Sequence, residues 1–355
     1  MKILVINSGS TSTKIAVFED TKQIFIENIK HPVKDIAKFN KIVDQYHFRK
    51  EIILDELKKA DIDINSINCV VGRGGLVKPV KSGVYLVNEK MKEDLKAGRL
   101  GEHASNLGGL IADDIATSLP DAKAYIADPV VVDELQDVAR IAGHPLFERL
   151  SIFHALNQKA IARYHAKKMK KKYEELNLIV VHLGGGISVG AHCKGKVIDV
   201  NQALDGEGPF SPERSGTLPV SALVKLCFSG KYTETEIQKM IKGEGGFVAY
   251  FGTNDAYEIE LRVRKGDKKA KLIQDALSYQ VGKEIGALSA VFKGKVDGIL
   301  LTGGLANNPL VVDYIKDMVS FITPVYVYPG EDEMRALAMN GLMVLKGELE
   351  AFHYE

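Results

Sequence analysis

The hydrophobic positions of this chain fall in short blocks separated by polar and glycine-rich stretches, the alternation expected of a mixed α/β protein. Ile3 to Ile6 is an apolar run of the kind a buried strand carries. A Gly/Ser/Thr turn over Ser8 to Thr13 follows it, then a returning strand Lys14 to Phe18 and a third strand Gln23 to Ile29. Helical spacing over 34–60, with Ile52, Ile53, Leu57 and Ala60 in phase, leads to a short strand Asn68 to Val71 that stops at Gly72. A helix over 104–118 and a strand Ala124 to Ala127 come next, and Pro129 opens a new element. In the second half the pattern predicts a helix over 154–172 and strands Leu178 to Val181, Ile187 to His192 and Lys196 to Val200. Helices over 219–228, 233–242, 254–264 and 268–292 follow. Strand Gly298 to Leu301, helix 308–319, strand Val325 to Val327 and helix 333–346 complete the series. The lysine run from Lys167 to Lys172 reads as a solvated last helical turn, where cations suit the dipole, rather than as a nucleic-acid patch.

A repeat organises these elements. Ile3-Leu4-Val5-Ile6-Asn7 parallels Leu178-Ile179-Val180-Val181-His182, about half a chain away, and each is followed by a glycine-containing turn and two further strands. Strand, glycine turn and strand is a common sequence, so spacing alone leaves coincidence open beside duplication. No low-complexity segment or Gly/Ser linker separates the halves, which predicts two closely packed units with a cleft between them.

Composition narrows the function. A length of 355 residues suits two domains at ~150 residues each. Lys plus Arg total 47 against 46 for Asp plus Glu, so the basic excess typical of nucleic-acid or membrane-surface proteins is missing. Cys69, Cys193 and Cys227 form no CxxC pair and cannot build a full disulfide set, which points to a reduced setting. The N-terminal apolar run is too short for a signal-peptide core, and no run approaches the ~20 apolar residues of a membrane helix. The expectation is a soluble, cytoplasmic protein.

The familiar phosphate loops are incomplete. Gly190 to Lys196 spells GxxxxGK, but Val197 stands where a magnesium-binding hydroxyl is needed and the segment reads as a hairpin. No GxGxxG is complete, and HExxH, EF-hand and zinc cysteine patterns are missing. Three Gly/Ser/Thr turns placed directly after apolar strands remain. The first, Asn7 to Lys14, offers backbone N–H groups through Ser10 and Ser12 and a positive charge through Lys14; an ordinary hairpin loop has the same look. The second is Gly184-Gly185-Gly186, and the third is Thr302-Gly303-Gly304 ahead of a helix start at Asn308-Pro309. Arg73 lies between glycines past a strand end and Arg214 in the loop Ser211 to Thr217; either guanidinium suits a carboxylate or phosphoryl group, or a turn surface. Asp128, ahead of Pro129, either faces a ligand or caps a helix. His154 and His182 are candidate donors, His182 because it takes the place of Asn7 in the repeat. Glu331-Asp332-Glu333 opens the last helix, where acidic residues are routine but magnesium binding is open.

At this point the chain resembles the acetate and butyrate kinase family, within the superfamily of sugar kinases, heat-shock ATPases and actin, and it looks most like the butyrate branch, which also handles branched-chain fatty acids. The residues that carry the resemblance are Ile6 to Lys14, Val71 to Gly75, Ala127 to Glu134, Ser151 to Gln158, His182 to Gly190, Asp205 to Gly216, Thr302 to Ala306 and Pro329 to Met334. Asp205 to Gly216 is the most specific of these, and the match spans nearly the whole chain. Acetate kinases carry Asn where this chain has Gly185, which argues against acetate as the preferred substrate.

The resemblance implies an α/β fold of duplicated ribonuclease-H-like, actin-like ATPase domains with an interdomain cleft. The expected division is 1–150 and 151–332, the second on the nucleotide side, with a C-terminal helix 333–350 returning to the first. It implies reversible transfer of phosphate from ATP to a short-chain carboxylate, giving ADP and an acyl phosphate, in a cytoplasmic homo-oligomer of at least two chains. Carried over by position, Asn7 and Glu333 would hold Mg²⁺, with Asp332 a near alternative to Glu333. Ser10, Ser12 and Lys14 would lie in the first phosphate loop, Gly184, Gly185 and Gly186 would cradle phosphates, and Gly303 and Gly304 would lie against adenosine. Arg73 and Arg214 would bracket the carboxylate and the phosphoryl group, Asp128 would order Arg214 or the magnesium shell, and His154 and His182 would donate to phosphoryl oxygens. The alternatives are an acetate or propionate kinase, and a sugar kinase, which needs a carboxylate base that only Asp128 is placed to be. A chaperone-like relative would need a peptide-binding domain for which this length leaves no room, and a purely structural protein would have no use for the arginine-bearing loops.

Overall fold

The first apolar block forms strand β1 (Lys2–Ser8), in which Ile3, Leu4, Val5 and Ile6 are all fully buried, because a strand covered on both faces needs an unbroken apolar run. It pairs antiparallel with β2 (Ser12–Glu19), which pairs with β3 (Lys22–Lys30). On its other side β1 runs parallel to β4 (Cys69–Arg73); β5 (Val84–Leu86) and β6 (Lys123–Ala127) extend the sheet, with β6 parallel to β4. A short strand Phe352–His353 completes the edge on β5. The helix Asn106–Thr117, apolar almost all round, packs on β4 and β6, and the helix Glu333–Leu345 packs on β1 and β4. These elements form one compact unit, Met1–Val132 with Asp332–Glu355. The computed structural model describes residues 1–99 and 101–355.

The second unit, Asp133–Glu331, repeats the plan. Here β7 (Asn177–Leu183) and β8 (Ile187–Cys193) are antiparallel, as are β8 and β9 (Lys196–Val200). Parallel strands β10 (Gly298–Gly303) and β11 (Val325–Pro329) follow on the far side of β7. The order β9-β8-β7-β10-β11 reproduces β3-β2-β1-β4-β6 once β5 and the strand Phe352–His353 at that edge are set aside, so the repeat is a duplication of topology. Residues alternate between faces along a strand. Leu178 and Val180 accordingly join Ala162 and Ala166 of the helix Ala155–Lys168, while Ile179 and Val181 join the core under the helices Lys268–Val291 and Pro309–Val319.

Several expectations need adjusting. The first boundary falls at Val132/Asp133 and not at residue 150. The segment between is tied into the second sheet: Glu134 accepts from Lys159 Nζ at 2.6 Å and Val197 N at 2.8 Å, and Arg149 reaches Asp199 and the Val200 carbonyl. Region 34–60 is not one helix; its regular part is Tyr46–Lys59, after a short turn of helix at Val33–Ile36 and a 3-10 turn at Ile42–Gln45. β4 runs through Gly72 to Arg73. No helix starts at Pro129, so Asp128 is not a helix cap there; it has φ 38° and binds a neighbouring turn. The helix expected over 154–172 ends at Lys168, and Lys170 turns left-handed at φ 56°. Gly190 to Lys196 is indeed a hairpin. Among the described residues no helix is long and apolar enough to cross a membrane.

Candidate active site

In the first unit the turn after β1 is held from inside. Arg49, on the helix Tyr46–Lys59, is 1% exposed, yet its guanidinium has many acceptors. Nη1 donates to Gly9 O at 2.7 Å, Ser12 O at 3.2 Å and Thr13 Oγ1 at 3.2 Å, and Nη2 donates to Ser10 O at 3.0 Å and Gln45 Oε1 at 2.8 Å. Burial lowers its pKa to about 10, which still leaves it charged near neutrality. With three carbonyls turned inward, the Ser10 and Thr11 side chains stand exposed on the outer side. Lys14 is the partner of Asn7 across the β1–β2 pair, and Ser12 opens β2.

Asn7, near the end of β1, meets Arg73, at the end of β4, and Glu333, in the first turn of its helix. Asn7 Nδ2 donates to Glu333 Oε2 at 2.8 Å, Arg73 Nη1 donates to Asn7 Oδ1 at 3.3 Å, and Arg73 Nη1 lies 3.2 Å from Glu333 Oε2. Asp332 is elsewhere engaged: it caps the helix through Arg335 N and pairs with Arg335 Nε at 3.0 Å. Glu333 is therefore the acidic residue that meets Asn7. An amide oxygen and a carboxylate are hard donors of the kind Mg²⁺ takes while keeping several waters, so this pair fits the ion. Among the described residues no three His, Cys, Asp or Glu side chains gather as a metal site. Asp128 Oδ1 accepts from Ser82 Oγ at 2.6 Å and Gly83 N at 2.9 Å, closing that turn against the end of β6.

In the second unit the glycine triplet after β7 makes room for side chains of the protein itself. A Cβ on Gly184 would lie 2.6 Å from His182 Nε2, and one on Gly186 would lie within 1.9 Å of Arg214 Nη1. At Gly185 the nearest atom is Glu213 Oε1 at 3.3 Å, a looser fit. Ser211 Oγ donates to the Gly185 carbonyl at 2.5 Å and accepts from Arg214 N at 3.1 Å, so the Arg214 loop and the triplet form one piece. Arg214 Nη1 also donates to Ala203 O at 2.7 Å. His182 is 2% exposed; its Nδ1 lies 2.9 Å from Asn157 Oδ1 and its Nε2 3.2 Å from Glu331 Oε1. The His154 ring stacks on it at 3.8 Å, and His154 Nδ1 is 2.8 Å from Ser188 Oγ. The turn after β10 differs between its two glycines. Gly303 has φ 92° and would press a Cβ to 2.4 Å from Leu183 O, so the fold requires it. Gly304 has no protein atom near its Cβ position.

Within the first unit, then, Asn7, Arg73 and Glu333 come together; within the second, His154, His182, Arg214 and Gly184 to Gly186 do. Sequence reasoning missed Arg49, Asn157, Ser188 and Ser211 as working parts of these clusters, and it weighed Glu331 with Asp332 and Glu333 for magnesium, not as the partner of His182. Asn157, Ser188 and Ser211 all lie inside segments that carried the resemblance, which was the available signal; an arginine in the first turn of a helix, such as Arg49, gives none.

Comparison with known proteins places the chain among relatives. Residues 147–322 match the Acetokinase family. The chain is 58% identical over 354 residues to butyrate kinase 2 of Clostridium acetobutylicum, covering 100% of this chain and 99% of that protein. It is 57% identical, with the same coverage, to butyrate kinase 1 of that bacterium. Its fold is similar to that of Porphyromonas gingivalis acetate kinase, with a TM-score of 0.79 over 97% of this chain and 99% of that one at 19% identity.

Proposed function

The chain belongs to the acetokinase family and has its duplicated ribonuclease-H-like, actin-like ATPase fold, and from that premise we propose that it phosphorylates the carboxylate of a short-chain fatty acid, butyrate or a branched-chain analogue, reversibly at the expense of ATP. The whole-length likeness to two butyrate kinases carries this reading. The geometry supports it in each unit separately.

A carboxylate is already nucleophilic, so the transfer needs no general base, and catalysis reduces to placement and neutralisation of charge. In the first unit Arg73, held by Asn7 and Glu333, presents a guanidinium suited to a carboxylate or phosphoryl group. Asn7 and Glu333 would hold Mg²⁺, which when bound supplies positive charge to the nucleotide phosphates. Ser10, Ser12 and Lys14 line the first phosphate loop. In the second unit Arg214, lying over Gly186, and the stacked His154 and His182 are donors for phosphoryl oxygens, which gain charge in the transition state. Gly184, Gly185 and Gly186 belong to the phosphate cradle. Gly303 and Gly304 belong to the adenosine side, where the open space beside Gly304 suits a ligand. Asp128 keeps its place among the site residues on the resemblance alone. Three cysteines without disulfides accord with a reducing cytoplasm, and the family points to a homo-oligomer of at least two chains.

An ADP-coupled assay over straight and branched C2 to C5 acids and a sugar panel tests the reading. Highest kcat/KM with butyrate or isobutyrate is the expected result. Preference for acetate would overturn the substrate, and turnover of sugars alone would overturn the carboxyl acceptor.

A further inference from the structure

The second unit contains a file of buried polar side chains that the mechanism above does not use. Gln158, Ser188 and His192 are fully buried, and Tyr173 is 5% exposed. The file runs from Tyr173 OH to His192 Nδ1 at 2.6 Å, from His192 Nε2 to Gln158 Oε1 at 2.8 Å, from Gln158 Nε2 to Ser188 Oγ at 2.7 Å, and from Ser188 Oγ to His154 Nδ1 at 2.8 Å.

Donor and acceptor arithmetic gives every link a direction. Gln158 Nε2 also lies 3.0 Å from the Ser188 carbonyl. A carbonyl only accepts, so the amide nitrogen must face it, and Gln158 Oε1 must face His192. His192 therefore donates from Nε2. Burial, with Lys159 and Arg163 nearby, holds His192 well below its usual titration range, so it carries a single N–H. Its Nδ1 is then an acceptor, and the Tyr173 hydroxyl donates to it. At the other end the Ser188 hydroxyl receives Gln158 Nε2 and, at 3.4 Å, the His154 backbone N–H. Both are donors, so its own proton goes to His154 Nδ1.

We propose that this one-way hydrogen-bond file from Tyr173 to Ser188 fixes His154 in the tautomer whose only N–H is at Nε2, so that His154 presents a donor rather than a bare nitrogen to the transferring phosphoryl group. The second half of that statement rests on the kinase reading; the tautomer does not. Ser188, Gln158, His192 and Tyr173 are positioning residues, and leaving any one unpaired inside the unit breaks the file.

Full-length protein with ¹⁵N-labelled imidazoles, examined by two-bond ¹H–¹⁵N correlation, reads the tautomer directly. His154 is assigned among the nine histidines by its loss in His154→Gln. The expected wild-type pattern has the proton on Nε2. Ser188→Ala is expected to mix the tautomers and to lower kcat by roughly tenfold with little change in either KM, and Ser188→Thr, which keeps the hydroxyl, to preserve both. A wild-type His154 protonated at Nδ1, or a spectrum unchanged in Ser188→Ala, overturns the proposal; should Ser188→Ala fail to fold, the wild-type spectrum alone decides. Normal turnover in His154→Ala would remove the catalytic reading instead and leave the tautomer assignment standing on its spectrum.

Discussion

The turns after β1 and β7 hold matching places in the repeat and are built in opposite ways. The first is pinned through its backbone: Arg49 takes the carbonyls of Gly9, Ser10 and Ser12, and the outward side chains are left free of structural duty. The second is shaped by side chains, with His182 and Arg214 lying where Cβ atoms of Gly184 and Gly186 would be. One consequence is a separation of roles. Stability of the first turn is concentrated in one buried cation, whereas in the second the glycines and the functional groups share the same space, so that adding a methyl group displaces chemistry before it displaces fold.

Four substitutions sharpen or break this contrast. Arg214→Ala is expected to have the largest effect, a fall in kcat of ~100-fold or more in steady-state assays, as for loss of one transition-state donor. Near-normal turnover would remove Arg214 from the reaction. Arg49→Leu takes the guanidinium donor from the Gly9 and Ser10 carbonyls, while Ser12 O keeps Gly9 N, and is expected to cost about 3 kcal/mol in urea unfolding. A loss below about 1 kcal/mol would mean that the first turn supports itself. Gly186→Ala collides with the flexible end of Arg214, so kcat should fall roughly tenfold, part of the full loss, while the unfolding midpoint barely moves. A stability loss without a rate loss would reverse the contrast.

The smallest effect concerns pH. His31 Nε2 lies 2.8 Å from Thr13 Oγ1 beside the first turn, and burial, with Arg49 second, pushes its pKa down to about 4. Between there and the unfolded value of 6.5 the unfolded chain binds a proton that the folded chain refuses. This contribution is full above the upper value and is lost as pH falls toward the lower. His31→Gln should flatten the fall of unfolding free energy over that interval; an unchanged slope would show that His31 is not its source.

What the sequence disclosed follows from the same physics. The strands of both repeats were legible because each sits in a covered sheet and needs an unbroken apolar run, as in Ile3 to Ile6 and Leu178 to Val181. β5 was not, because Val84 to Leu86 is three residues between turn-forming neighbours, too short for any period to register. The glycine triplet was legible as permissive; that His182 and Arg214 would fill the space it frees is a tertiary fact. Arg49 was hidden because an arginine in a helix looks solvent-facing until the carbonyls it serves have been folded against it. The acidic pair Asp332–Glu333 was ambiguous in sequence because one residue caps the helix and the next faces inward, and only the register of that helix against β1 separates them.

The central claim is that the phosphate of ATP ends on a carboxylate oxygen, and isotope transfer tests it most directly. With ATP, Mg²⁺ and butyrate labelled with ¹⁸O in its carboxyl group, ³¹P spectra should reveal an acyl phosphate whose phosphorus carries one butyrate-derived ¹⁸O. An ATP-consuming reaction that yields no acyl phosphate, or one whose phosphorus lacks the label, would contradict the account.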